Sequence, residues 1–457
     1  MLIDLGLIFL VFSVVSALYY FYFVRAGFGG IDIWRWMKYA LEIKRIKGLP
    51  EDVNGYVIKA PFNYPPLFLI FLSFFSRRII HKFPHLLQLI IWFLELIYVY
   101  LFLSHEHYDN ALWLTFIFFL VSISRNLYFS SRSLANFFIT VLISILLLPA
   151  SFVTYFVFFV SIIFLLYSHR HGVQFILFLT FFYIYENPVF FLIFCFSYGL
   201  MLLSSNFFGK VYKNHIGILA FHRTRLLALP GTSLKFLLIN IRRVFISKSP
   251  YMFLFLFSYL FNLGDNWIGL HFFYFTVFLT LVYSTKILGF LGEPERNFDY
   301  MSLMVVISLT HVPLLQALIV GSFFLVWDVF KWVYKRGSSL YNVNSKPPLF
   351  LDELIRRTGN FKRVFFSFPP IFDDYVLYKF ENVSVVFHDN GIALGRDPLA
   401  YGPNNSTLID EDQLSYIVNR YSVGVIVLFN RPEYLHYEIL KKYRLEYVND
   451  NYLFFSL

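Results

Sequence analysis

A helix needs about 20 apolar residues to cross the ~30 Å hydrocarbon core of a bilayer, because it rises about 1.5 Å per residue. This chain returns to runs of that kind along most of its length. Apolar stretches occupy 2–24, 65–80, 86–103, 111–124, 134–150, 151–167, 173–186, 188–204, 250–263, 267–285 and 301–334. Over 457 residues the AVILMFWYC set reaches 58%, and charged residues fall to 14%, against about 25% in an ordinary soluble domain. A water-soluble fold cannot bury that much apolar surface, and a disordered chain would be poor in it. The pattern predicts an α-helical polytopic membrane protein with about 10–12 transmembrane helices, multi-pass in the cell (plasma) membrane. The last run is too long for one straight span, and Pro313 is expected to break or kink it. No basic n-region or cleavage box precedes the first run, so 2–24 is expected to be a retained span rather than a signal peptide.

Charge divides the chain in two. Residues 1–335 hold 25 Lys/Arg and 14 Asp/Glu, whereas residues 336–457 hold 13 and 14. The basic excess therefore belongs to the apolar part, as expected of loops facing cytoplasm and anionic lipid. No basic, soluble, patterned domain is present, which argues against a nucleic-acid partner. Basic clusters at Arg77-Arg78 with Lys82, Arg125 with Arg132, and His169-Arg170-His171 alternate with the polar turns 105–110 and 185–187. The first set is expected to be cytoplasmic and the second external, which by parity makes residues 25–64 an external loop. The longest basic stretch, 205–248, has no acid between Glu186 and Asp265. Within it 226–245 is amphipathic enough to lie on an anionic leaflet. The single cysteine, Cys195, excludes a disulfide framework within one chain.

Residues 336–457 have soluble composition and read as a small C-terminal α/β domain behind the transmembrane domain 1–335. Strands are expected at 364–368, 383–387 and 423–429, then a helix over 432–443 and a closing hairpin over 445–457 turning at 449–451. Asn382 and Asn404 sit in glycan-acceptor patterns. Asp373-Asp374 reads as a solvated turn.

The loop 25–64 is long by loop priors, and long structured loops are usually functional. It opens with Gly29-Gly30-Ile31-Asp32, continues as an amphipathic helix to about Lys47, turns at Gly48-Leu49-Pro50, and ends with Asn63-Tyr64-Pro65-Pro66-Leu67 at the next apolar run. Asp32 stands at a helix N-terminus, where the dipole favours a carboxylate and keeps it ionised, as a general base requires. The same position also suits a plain helix cap. Trp34 and Trp36 have the amphipathic rings expected at a headgroup boundary.

An N-terminal span, an early loop Asp, an interfacial helix, Gly-x-Pro and Tyr-Pro-Pro-Leu in this order resemble the GT-C superfamily of polytopic membrane glycosyltransferases. The matching residues are Asp32, Gly48-Leu49-Pro50 and Asn63-Tyr64-Pro65-Pro66-Leu67, within residues 1–70. The resemblance implies transfer of a sugar from a polyprenyl-phosphate-type carrier, usually with inversion, on the non-cytoplasmic face. It also implies that Asp32 is the base.

A second group of ionisable residues follows a glycine turn at Gly289–Tyr300, with Glu293, Glu295, Arg296 and Asp299. A planar guanidinium at Arg296 suits a lipid phosphate, and Glu293 would orient it. By parity this loop falls on the side opposite Asp32, so a site shared by Arg296 and Asp32 requires one span to be miscounted, with 226–245 the first suspect. Arg35, Tyr64 and Arg132 complete the set expected to meet the substrate or its phosphate. His105-Glu106-His107 mimics a metal site but reads as an external turn, and nothing indicates a metal or other cofactor. Glu95 and Asp328, both near span ends on this count, read as interfacial. The function expected is that of a membrane glycosyltransferase acting from a polyprenyl-phosphate-linked sugar on a glycan, lipid or protein acceptor. The alternatives are a transporter or flippase of lipid-linked glycans and a non-catalytic membrane scaffold.

Overall fold

The computed structural model describes residues 1–19, 32–58, 60–62, 64–83, 85–126, 132–204, 206–228, 232–260, 267–292, 294–310, 312–336, 349–357, 363–368, 372–380, 383–386, 409–448 and 452–457. The chain is mostly helical, with a small sheet at the C-terminal end. The helices are α1 (Leu2–Tyr19), α2 (Asp32–Ile46), α3 (Leu67–Phe74), α4 (Arg77–Lys82), α5 (Leu86–His105), α6 (Ala111–Asn126), α7 (Arg132–Leu147) and α8 (Phe152–Leu166). They continue as α9 (Arg170–Phe182), α10 (Pro188–Ser204), α11 (Asn206–Ala228), α12 (Ser233–Leu260), α13 (Trp267–Tyr283), α14 (Arg296–Asp299), α15 (Ser302–Ser308) and α16 (Leu314–Arg336).

Apolar helices α1 and α5–α10, with α13, α15 and α16, share one core built from residues such as Trp92, Phe118, Ile139, Phe158, Phe175 and Met304. Helices α5 and α7 run in parallel, with the Tyr98 hydroxyl hydrogen-bonded to Ser144 and Thr140 donating to Glu95 Oε1 at 2.6 Å. Glu95 is fully buried at the middle of α5, not near a span end, because this carboxylate has a hydroxyl donor on the neighbouring helix. Asp328 is also buried. Among the described helices only Leu86–His105 is both long and apolar enough to cross a membrane. Leu2–Leu18, Ala111–Ile123, Arg132–Leu147, Phe152–Leu166, Pro188–Leu203, Tyr274–Tyr283 and Leu314–Phe330 are apolar but shorter.

The main departure from the sequence reading is at 65–80. That stretch does not form one helix: α3 spans 8 residues, Phe75 is extended (φ −68°, ψ 153°), and the Ser76 hydroxyl accepts from Ile79 N to start α4. Eight residues of helix rise only about 12 Å, too little for a crossing. Without one helix over 65–80, the parity argument that set loop 25–64 opposite Arg77, Arg132, His169 and Arg296 no longer applies. The structure indeed gathers these segments at one end of the bundle: Leu67 N donates to Tyr167 O at 2.9 Å, and Lys44 Nζ reaches Phe75 O at 2.9 Å. The 301–334 run divides as expected, with α15 ending before Pro313 and α16 starting after it. The stretch 226–245 belongs to the ends of two successive helices, α11 and α12, rather than to one surface helix.

The tail adds α17 (Leu349–Arg357), α18 (Asp373–Lys379) and α19 (Glu411–Tyr421) to a five-stranded sheet. After the short pair β1 (Asp52–Val53) and β2 (Ala60–Pro61), the sheet strands are β3 (Arg363–Phe368), β4 (Val383–Val385), β5 (Val423–Phe429), β6 (Arg444–Val448) and β7 (Tyr452–Ser456), in the order β4-β3-β5-β7-β6. Strands β3, β4 and β5 are parallel, and β6-β7 form the expected antiparallel hairpin. Residues 432–443 form two 3-10 turns instead of an α-helix, because Tyr437 between them is extended (φ −70°, ψ 124°). Asp373 is buried at the start of α18 rather than solvated. Residues 449–451, Asn382 and Asn404 lie outside the described residues.

The tail does not stand apart from the loop. Val57 N and Ile58 N donate to Val385 O and Val386 O at 2.8 and 2.9 Å, so residues 55–58 extend the β4 edge in parallel. Trp34 of α2 packs edge-on to Tyr375 at 4.9 Å and lies 5.3 Å from Tyr378. One apolar core runs through Trp36, Tyr39 and Ile43 of α2, Phe68 and Leu72 of α3, and Leu354, Phe365 and Val376 of the tail.

Candidate functional site

At the end of the bundle where α2 lies, four chain segments converge. The turn from α8 to α9 supplies the first. Ser168 caps back onto Phe164 O (2.6 Å), and His169 is extended (φ −163°, ψ 128°), so α9 begins at once with Arg170 and His171. Gly172 fits against Ile139 and Leu165, where an added Cβ would lie 3.0 and 3.1 Å from their Cδ1 atoms. The glycine thus draws the start of α9 tightly between α7 and α8.

The second segment is Tyr64-Pro65-Pro66. Its hydrogen bond from Leu67 N to the end of α8 sets the Tyr64 ring 5.8 Å from the Arg170 guanidinium and 6.4 Å from the His169 ring. Trp36 covers Tyr64 from α2 at 4.4 Å. The third is the first residue of α7, Arg132. The fourth is the turn 289–300, where Gly292 (φ +157°) would place a Cβ 2.9 Å from His171 Nδ1. That close approach brings Arg296 and Tyr300 alongside, with the Tyr300 ring 5.8 Å from His171 and 5.0 Å from Phe175.

The electrostatics of this cluster are distinctive. Burial is the main cause that holds His169 and His171 well below the ordinary imidazole range, and the positive charges of Arg132 and Arg296 push both further down. Both rings are therefore neutral at pH 7. Several buried polar atoms here have no hydrogen-bond partner among the described residues: His169 Nδ1, Arg170 Nε and Nη2, and both amide atoms of Asn297. Arg170 Nη1 lies 3.4 Å from His215 Nδ1, and Gln174 Nε2 lies 3.3 Å from His215 Nε2. Leaving a buried donor unpaired costs about 1–3 kcal/mol, more when it is charged. Such atoms beside the guanidinium groups of Arg132, Arg170 and Arg296 form an arrangement suited to an oxyanion, with guanidinium forks to donate N–H groups to phosphate oxygens and neutral imidazoles to donate a further N–H.

Of the residues expected from sequence, Tyr64, Arg132 and Arg296 meet in this cluster. Arg35 is half-buried on the first turn of α2. Asp32 starts α2, one helical turn ahead of Trp36, and its side chain lies outside what is described; so does Glu293. His169, Arg170 and His171 are the residues the sequence reading missed, having taken them for an orientation signal. The clue was present in the order His-Arg-His immediately before an apolar run, which sets cations on the first turn of a helix where the dipole disfavours them.

Among the described residues no group of three or more His, Cys, Asp or Glu is placed to hold a metal ion. His105 and Glu106 form an exposed pair at 2.9 Å at the far end of the bundle. No family model, curated protein or solved structure matches this chain.

Proposed function

We propose that this chain is a multi-pass membrane glycosyltransferase whose arginine cluster holds the phosphate of a polyprenyl-phosphate-type sugar donor. The observation that carries the reading is the meeting of Arg132, Arg170 and Arg296 around two neutral, buried histidines and Tyr64. Membrane embedding is supported by composition and by the bundle exterior, where Phe152 is 83% and Leu203 90% exposed among many exposed Leu, Ile, Val and Phe side chains.

In this reading the leaving phosphate gains negative charge as the anomeric C–O bond breaks, and the guanidinium groups stabilise it. Asp32 takes the proton of the acceptor hydroxyl that attacks the anomeric carbon. Tyr64 and Trp36 form an aromatic wall beside the phosphate. The tail braces α2 and thereby the wall.

The test is transfer from a panel of polyprenyl-phosphate sugars by protein in lipid nanodiscs. Asp32→Asn is expected to lower turnover by about 10²–10⁴-fold with expression retained. Unchanged turnover in that variant removes Asp32 from the mechanism, and no transfer from any donor by the native protein removes the reading.

The basic loops and the cluster share one end of the bundle, which under the positive-inside rule faces the cytoplasm, whereas the family resemblance implies the opposite face. A Glu438→Cys label in a Cys195→Ser background, probed with an impermeant maleimide on intact cells, decides between them. A second reading, a flippase for lipid-linked glycans, is favoured by one observation. Lys248, Asp299 and Asp328 form a charged group inside the bundle, of the kind that transporters place along a path.

A further inference from the structure

We infer that Lys248 and Arg243 of α12 are positioning residues for Arg296. The inference rests on the reading of the cluster as an anion site. Helix α14, which begins with Arg296, is only 4 residues long, and a single helical turn does not hold itself in water or in a groove. It is fastened at both ends from α12. Glu295, just before it, pairs with Arg243, and Asp299, its last residue, pairs with Lys248. Two further contacts continue the line: Asn240 Nδ2 donates to Ser284 O at 3.2 Å, and the Phe236 ring lies under Gly289. Residues 236, 240 and 243 recur at helical spacing on one face, and the kink carries Lys248 onto the same line.

The kink that aims Lys248 has a visible cause. Pro250 cannot donate to the carbonyl four residues earlier, Ile246 O, and Trp327 Nε1 of α16 takes that acceptor at 3.2 Å. Lys248 itself leaves the helical conformation (φ −127°, ψ 27°) and turns into the bundle, where its side chain is 9% exposed between Asp299 and Asp328. Contacts from α12 and α16 thus fix where the Arg296 turn sits. This gives part of the basic stretch 205–248 a role beyond setting orientation.

The test uses full-length protein in detergent micelles and two readouts. The first is the rate at which phenylglyoxal modifies Arg296, followed by mass spectrometry; it needs no ligand. Lys248→Met and Arg243→Gln are expected to raise that rate several-fold, and Lys248→Arg to restore it. The second is binding of inorganic pyrophosphate, expected to weaken about 10-fold in Lys248→Met and not to weaken further when Arg296→Ala is already present. If native protein does not bind pyrophosphate while modification still accelerates, the anion-site reading fails and the positioning role stands. An unchanged modification rate in both α12 variants, or an equal loss of binding in the Arg296→Ala background, overturns the positioning role. Arg243 is half exposed, so Arg243→Gln carries the test should Lys248→Met fail to fold.

Discussion

The two ends of the helical bundle are built on opposite rules. At the far end the turns close on themselves: Ser151 and Thr154 form a reciprocal capping box, Asn187 Nδ2 donates to the Tyr155 hydroxyl at 3.0 Å, and Val189 N donates to Asn187 Oδ1 at 3.1 Å. None of the buried polar atoms without a partner falls in 103–112, 148–156 or 183–190. At the other end, nitrogens of Arg170 and His169 are buried with no partner among the described residues, and the close approaches at Gly172 and Gly292 join the Ser76 and Ser168 caps in setting the geometry. A chain that satisfies polar atoms so fully at one end is able to do so at the other. The unsatisfied atoms are the ones on which the proposed anion site draws.

If this contrast is correct, the largest effects follow from the arginines. Arg132→Ala is expected to weaken binding of inorganic pyrophosphate about 10–100-fold, the equivalent of a charge-assisted hydrogen bond of about 1.5–3 kcal/mol, with little change in melting temperature. Calorimetric titration of the detergent-solubilised protein measures it; an unchanged affinity dissolves the distinction between the ends.

The next effect is one of pH. His169 and His171 are held neutral in the folded chain, and burial drives His85, just ahead of α5, down to about 4. Unfolded histidines titrate near 6.5 and bind protons that the folded ones refuse. Stability should therefore be flat above about pH 7 and fall as pH drops below about 6.5. His169→Gln should shrink the slope, and thermal melts from pH 8 to 5 check it. A pyrophosphate-bound protein should lose less on acidification, because the anion favours the protonated rings.

A smaller effect tests the brace. Gly55 has φ +94°, and a Cβ there would lie 2.6 Å from Leu377 Cδ2. Gly55→Ala is expected to cost about 1–2 kcal/mol through backbone strain alone, and to raise protease sensitivity of the tail. An undisturbed tail means the 55–58 pairing is incidental to its docking. The smallest effect belongs to the far end: Ser151→Ala should remove about 1 kcal/mol of stability and leave pyrophosphate binding unchanged. Loss of binding there would show the two ends to be coupled.

Much of this arrangement is legible in the amino-acid sequence. Three residues from distant segments, Tyr64, Arg132 and Arg296, stood out by residue type at the edges of apolar runs, and they meet. The β-strands of the tail followed from β-branched and aromatic runs, with 423–429 matching β5 at both ends. The failures have physical causes. Hydropathy sums over 65–80 and does not register that Phe75 and Ser76 break the helix, so one crossing too many placed Asp32 and Arg296 on opposite sides. Basic residues beside a span read as orientation signals whether they face lipid headgroups or fold inward, and only packing separates Arg170 from Arg78. Glu95 looked interfacial because its hydroxyl donor, Thr140, lies 45 residues away in sequence.

The pairing of residues 55–58 with the β4 edge bears on how the chain is made. This segment emerges from the ribosome some 330 residues before Val385, its partner, which at ordinary synthesis rates is a delay of roughly 15–60 s. Throughout that interval α2 and its apolar face wait for the sheet that will cover them. The nascent protein thus carries this apolar face uncovered until the last quarter of translation supplies the sheet that closes it.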